Sequence, residues 1–272
     1  MTNYPDFYGD QLRWFIGKVT DIQDPLQLGR ARVKIDGIHN GIANSQLPWA
    51  QTVVPITEGG TSGFGNNLGI QPGARVFGFF MDGRNSQLPV IIGSMPKFED
   101  TVDSDGNPLP ATNDSQVTNK STNQLARGTN TLAARKVTQG TDPTKTANNE
   151  PFDEPDSPYA AVYPKNFVHE TPRGHVIEID DSFTTDADGN ETDNSRIHIY
   201  HRSGSFVEMH PNGDVVTHHK NGFKTVHGND KVYITGDLDI TVDGNMNLTV
   251  GGNVTESITG NLDIDAARID LN

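Results

Sequence analysis

Nine histidines have the widest chemical repertoire in this 272-residue sequence, and their spacing limits what they can do. His198 and His201 differ by three, and His218 and His219 are adjacent. In extended chain the members of each pair point to opposite faces, so neither pair chelates an ion alone. One inward histidine per chain on a threefold axis would offer a metal three imidazoles. Surface or packing roles are the ordinary reading, and no histidine follows His227. Asp186, Asp188 and Asn190 carry part of a calcium-loop pattern, but Gly189 is misplaced and no glutamate stands at the twelfth position, so a polar hairpin turn is favoured. Gly59, Gly60, Gly63, Gly65 and Gly69 lack the Lys-Ser/Thr ending of a phosphate loop and read as an inter-strand loop. Trp14 and Trp49 fall in predicted strands, where core or barrel packing is favoured over ligand stacking. Cysteine is absent, which excludes thiol catalysis, disulfides and cysteine metal sites. No catalytic, cofactor-binding or metal-binding residue is assigned, and no cofactor is expected.

The elements that would position these residues are β-strands. With 28 Gly and 16 Pro, the chain favours turns and short strands over long helices. The length suggests about two domains. No window approaches the ~18 apolar residues of a membrane span, and the first residues lack the basic-then-apolar order of a secretory signal. Acids outnumber bases 35 to 21. Residues 1–98 have 8 bases against 7 acids, residues 99–165 have 6 against 10, and residues 166–272 have 7 against 18. No basic stripe is available to displace counterions, so no nucleic-acid partner is expected.

Residues 1–98 read as a small closed barrel of the OB-fold kind, with strands predicted over Trp14–Ile22, Arg30–Ile38, Trp49–Val54, Arg75–Met81 and Pro89–Gly93. Tyr4–Leu12 is an arm or a short helix. Residues 99–158 read as an extended linker: no Phe, Trp or Tyr occurs from Thr101 to Glu150, too little apolar surface to offset chain entropy. Within it, a helix over Asn123–Lys136 is the alternative to an unstructured tether. Residues 159–225 start a stalk, a β-prism, with alternating strands Val176–Asp180 and Ile197–His201. Polar turns are predicted at Asp186–Asn190, Pro211–Gly213 and Lys220–Gly222.

Residues 226–272 hold an internal repeat. Gly228, Gly236, Gly244, Gly252 and Gly260 are spaced eight apart, each two residues after Val or Ile and one before Asn or Asp. Of the twenty even positions from 226 to 264, thirteen are Val, Ile, Leu or Met and five are these glycines; among the odd positions 227–265 only Tyr233 is hydrophobic. That is period-two strand structure, and it excludes a helix. Each octad gives a short strand and a corner where glycine is expected to take positive φ. Five or six octads close barely two coils of a single-chain β-helix. Three intertwined chains sharing one apolar axis solve this, so a homotrimer is predicted. The pattern stops near residue 265, where a blunt end is expected.

These residues resemble the baseplate central spike proteins of contractile-tailed phages, related to the valine-glycine repeat spikes of type VI secretion. In the barrel the resemblance rests on Gly17-Lys18-Val19, Asp24-Pro25, Gly29-Arg30-Ala31-Arg32-Val33, Leu47-Pro48-Trp49-Ala50, Pro72-Gly73 and Leu88–Gly93. In the stalk it rests on Glu170–His175, Ile197–Gly204 and the Val-x-Gly octads. The resemblance implies an all-β chain: an N-terminal OB-fold, then a C-terminal intertwined triple-stranded β-helix. It also implies a structural spike in the virion tail baseplate, assembled in the bacterial cytoplasm, that docks on baseplate hub proteins through the OB-fold. A separate tip protein at the C-terminal end and the bacterial envelope as target complete that picture. Some members carry a lysozyme domain between barrel and stalk. Here that interval is the linker, free of Phe, Trp and Tyr from Thr101 to Glu150, which lacks the rigid core that paired carboxylates need. A non-enzymatic piercing spike is therefore expected, the alternative being a cell-wall glycan hydrolase carried on a spike.

Overall fold

The computed structural model describes residues 12–57, 69–95, 123–128 and 155–270. The Tyr4 arm before Leu12, Gly59 to Gly65 and most of the expected linker lie outside the described residues. Among the described residues the regular structure is β, with two three-residue 3-10 turns and no α-helix. Two compact units, Met1–Gln124 and Leu125–Asn272, are described separately.

In the first unit β1 (Arg13–Asp21), β2 (Ala31–Ile35), β3 (Trp49–Thr52), β4 (Arg75–Phe80) and β5 (Pro89–Met95) close a barrel in the order β1-β2-β3-β5-β4. Only β3 and β5 pair in parallel. Alternate residues point inward, so Phe15, Val19, Val33, Ile35, Val76, Phe80 and Ile91 form the core. Closure demands close backbone approach at Gly78, where a Cβ would lie 2.0 Å from the Val90 carbonyl oxygen. The second strand is shorter than the predicted Arg30–Ile38 at both ends: residues 36–38 turn back on Ile35, whose carbonyl accepts from the N–H groups of Ile38 and His39, and Arg30 belongs to a loop organised by Asp24. The Asp24 carboxylate accepts hydrogen bonds from the backbone N–H groups of Leu26 (3.0 Å) and Leu28 (2.9 Å) and pairs with Arg30 at 2.7 Å. Arg30 first, then these N–H donors, hold its carboxyl well below the usual carboxylate range against the opposing effect of burial. Neither tryptophan enters the core. Trp14 alternates outward and stacks on Phe77, while Trp49 is half-buried beneath the Arg32 guanidinium, 4.5 Å from its ring centroid.

In the second unit β6 (Asn166–Glu170), β7 (Val176–Asp180), β10 (Arg196–Tyr200), β11 (Phe206–Met209) and β12 (Val215–His218) form an antiparallel sheet ordered β12-β11-β10-β7-β6. Between β7 and β10 the chain makes a separate ribbon of β8 (Phe183–Thr185) and β9 (Glu191–Asp193). The predicted turns at Asp186–Asn190 and around Pro211–Gly213 are present. Thr171–His175, Asp186–Asn190, His201–Ser205 and His210–Asp214 share one design. The first residue donates its N–H to the fifth carbonyl, and the glycine at the fourth position donates to the first carbonyl at 2.8–3.1 Å. Gly174, Gly189, Gly204 and Gly213 sit at φ between 85° and 98°, the left-handed residue that closes such a hairpin. Asp186 is spent on this turn: its carboxylate accepts from the N–H groups of Asp188 and Asn190 and from the Asn190 amide. Instead of a helix, residues 123–128 form a turn, and Leu125 is buried against Val176, Tyr200, Phe206 and Val216.

From residue 219 to 270 the chain is extended and every described residue is exposed. It bends at 227–228, 235–236, 243–244, 251–252 and 259–260, so each octad glycine sits at a corner as the period requires. The strands between corners have no ladder within one chain, because an eight-residue step never folds back on itself. One expectation changes. The octad glycines do not have positive φ, and a Cβ at any of them would meet nothing within 4 Å. Nothing inside a single chain calls for glycine there.

Candidate functional site

Strand alternation gives the sheet of the second unit two unlike faces. One carries Asn166, Glu178, Asp180, Arg196, His198 and Glu208, all buried, next to buried Val176, Tyr200, Phe206 and Val216. The other carries Phe167, Ile177, Ile179, Ile197, Ile199, Val207, Met209 and Val215, all exposed. Pairing assembles the second face in rows. Phe167, Ile179, Ile197, Met209 and Val215 lie side by side across the five strands, as do His169, Ile177, Ile199, Val207 and Thr217. Ile177 and Ile199 face each other across β7 and β10, 52% and 54% exposed. An apolar surface this continuous marks an interaction site.

The polar face is the covered one. Arg196 is its centre, with Nη2 on Glu178 at 2.5 Å and Nη1 on Glu208. Glu178 also accepts from the Asn166 amide at 2.5 Å. Residues from 155 to 165 lie over it: Ser157 donates to Glu208 at 2.6 Å, and the Tyr159 ring packs against the Arg196 guanidinium at 4.6 Å. Burial pushes the Glu208 carboxyl up, but Ser157, Arg196 and His198 outweigh it and the net shift is downward. A buried charge is costly unless paired and hydrogen-bonded, and here the pairing lies on the same face as the apolar cluster of Val176, Tyr200, Phe206 and Val216.

The histidines divide as their spacing requires. His198 lies on the buried polar face; His201 lies on the apolar side, its ring 4.4 Å from that of His175. Among the described residues no group of three or more His, Asp or Glu is placed to hold a metal ion, and no helix is long and apolar enough to cross a membrane. Sequence reasoning found the two central strands of this sheet, β7 and β10, but missed β6, β11, β12 and the Arg196 centre. The available signal was charge at alternate positions of both Val176–Asp180 and Arg196–Tyr200.

The octads extend the apolar surface. All thirteen even-numbered aliphatic residues from Val226 to Ile264 are between 42% and 75% exposed. An N-terminal β-barrel followed by a sheet and a repeat that leave their apolar sides uncovered defines a class: all-β proteins completed by association.

Comparison with known proteins agrees. Residues 30–169 match the family described as the Gp5 N-terminal OB domain, and residues 236–259 match three copies of the Gp5 C-terminal repeat. The chain belongs to the Gp5 family of baseplate central spike proteins. It is 34% identical over 275 residues to Protein Gp5 of Vibrio phage KVP40, covering 85% of this chain and 63% of that one. It is 39% identical over 87 residues to the pre-baseplate central spike protein Gp5 of Enterobacteria phage T4, covering 28% of this chain and 15% of that one. The chain thus spans less than two thirds of the length of these relatives.

Proposed function

We propose that three copies of this chain assemble into a rigid central spike of a contractile phage tail, which docks on the baseplate hub through the barrel and pierces the bacterial envelope mechanically. The observation that carries this reading is the uncovered apolar surface, which runs over the sheet of the second unit and recurs at alternate residues of every octad. Three chains around one axis bury that surface and pair each extended octad with its neighbours. The octad glycines fit the same reading, since other chains approaching at the corners would exclude a Cβ. The name of the phage T4 relative, a pre-baseplate central spike protein, supports the role.

A fibre with an apolar axis and continuous interchain hydrogen bonding has no hinge, so it transmits axial force. The acidic exterior is not a lipid-seeking surface. The chain acts without catalysis or cofactor, in the virion baseplate after assembly in the host cytoplasm, and a separate tip protein caps its C-terminal end. Light scattering tests the assembly: the expected mass is three times the 29.6 kDa of one chain, with a species that resists SDS at room temperature. A well-folded monomer overturns the reading, and turnover of purified peptidoglycan overturns its non-enzymatic part.

A further inference from the structure

Resting on the reading that the barrel docks on the hub, we infer that the outer face of β1 and β4 is the docking surface and that its partner is an acidic protein surface bearing an apolar anchor. Three cations stand in one row across this face. Lys18 of β1 is directly opposite Lys34 of β2 and Arg75 of β4. Like charges directly opposite on a sheet are destabilising. Lys34 is tied to the Ile42 carbonyl at 2.7 Å and Arg75 to Asp36 at 2.8 Å, whereas exposed Lys18 has no ion pair among the described residues. The row therefore carries an excess positive charge that a carboxylate from outside would neutralise.

Beside that row lies a cleft of about 450 Å³, lined by Trp14, Ile16, Ile38 and Phe77 with the Asp36–Arg75 pair at its edge. Trp14 is stacked on Phe77, ring centroids 5.0 Å apart and planes 7° from parallel, and Phe79 meets it edge-on. The exposed aromatic floor is thus held rigid before any partner arrives. A pre-formed aromatic pocket with a charged rim is the pattern of an interface hot spot. Charge complementarity selects the partner: barrel residues 1–98 are nearly neutral overall, so the local row, not the net charge, steers association. A nucleic acid fits less well. The Trp49 ring is covered by Arg32, and three cations are too few to track a phosphate backbone.

The test is the affinity of the full-length chain for the purified hub protein of the same virion, by calorimetry at two salt concentrations. Lys18→Gln should weaken binding severalfold and Lys18→Glu at least tenfold, with wild-type binding falling as salt rises. Lys18 is exposed, and unchanged thermal unfolding of both variants shows that folding is not at issue. If hub binding is equal in wild type and both variants, this face is not the docking surface while the docking reading stands. If wild type does not bind the hub, the docking reading fails and this inference with it. Single-stranded DNA binding that Lys18→Glu abolishes would reassign the face to nucleic acid and overturn the acidic-protein partner.

Discussion

The Arg196 guanidinium lies 2.5 Å from the Glu178 carboxylate, and both side chains are completely buried, on a sheet whose opposite face exposes two rows of apolar residues. The covered side holds this ion pair beside the apolar cluster of Val176, Tyr200, Phe206 and Val216, while the side left open carries mainly hydrocarbon. Hydrocarbon on both sides is consistent if the open side is the interior of an assembly.

Arg196→Ala should cost about 3–5 kcal/mol at neutral pH, because it strands Glu178 and Glu208 as uncompensated buried charges. The sign with pH follows. Without the cation, burial is less opposed at Glu208, so its carboxyl pKa rises in the native state, which takes up a proton that the unfolded chain does not, and the deficit shrinks as pH falls. Urea unfolding of wild type and variant at pH 7 and pH 5 measures it. The triple change Glu178→Gln, Arg196→Met, Glu208→Gln should recover most of the loss; if it does not, charge is not what the centre contributes.

Ile199→Asp tests the apolar face. Ile199 has Ile177 on one side and Val207 on the other, and it is more than half exposed in one chain. Burying an isoleucine contributes about 1.5–3 kcal/mol, and a trimer contains the change three times. The variant should elute as monomer while its β-sheet circular dichroism stays. Glu191→Ala, on the ribbon outside this sheet, should leave the mass unchanged.

Asp24→Asn should loosen the β1–β2 loop in a pH-dependent way. The native carboxyl is depressed, so its contribution is fully present above its unfolded pKa of about 3.9 and is lost only as pH falls through the lower native value. Wild type should therefore be the more stable at pH 7, and the gap should narrow below about pH 4. A gap in barrel melting temperature that stays constant down to pH 2 would remove the Arg30 pair as the cause.

What the sequence disclosed depended on whether a pattern was local. The octad corners, the barrel strands and the hairpin turns are written in spacings of two, five and eight residues, and each appears close to where those spacings place it. Strand ends were less legible: Arg30 alternates correctly for β2, yet Asp24 captures it into a loop. Trp14 and Trp49 pack on the barrel and not in its core: one forms an exposed stack on Phe77 and the other lies under Arg32, a choice between inside and outside that the residue type alone does not make. The Arg196 centre was only partly legible: charge at alternate positions marks two of its strands, but it joins Ser157, Glu178 and Glu208 across 51 residues of chain, and no short-range spacing encodes that meeting. The octad glycines were located correctly but for an incomplete reason, since φ at the corners is ordinary.

The octads allow the sharpest contrast. Leu248 and Thr249 are neighbours, both exposed in a single chain, and one chain gives no reason to treat them differently. Period two places Leu248 with Met246 and Val250 on the apolar side and Thr249 on the polar side. Leu248→Asp should convert the SDS-resistant species into monomer at room temperature, because three carboxylates would enter one apolar axis. Thr249→Asp should leave it intact, adding charge to a surface that is already acidic. Gly252→Ala adds the steric half of the argument: its Cβ meets nothing within 4 Å in one chain, so any loss of the trimer must come from atoms of the other copies. Equal behaviour of Leu248→Asp and Thr249→Asp on a gel would mean that the even positions share no axis.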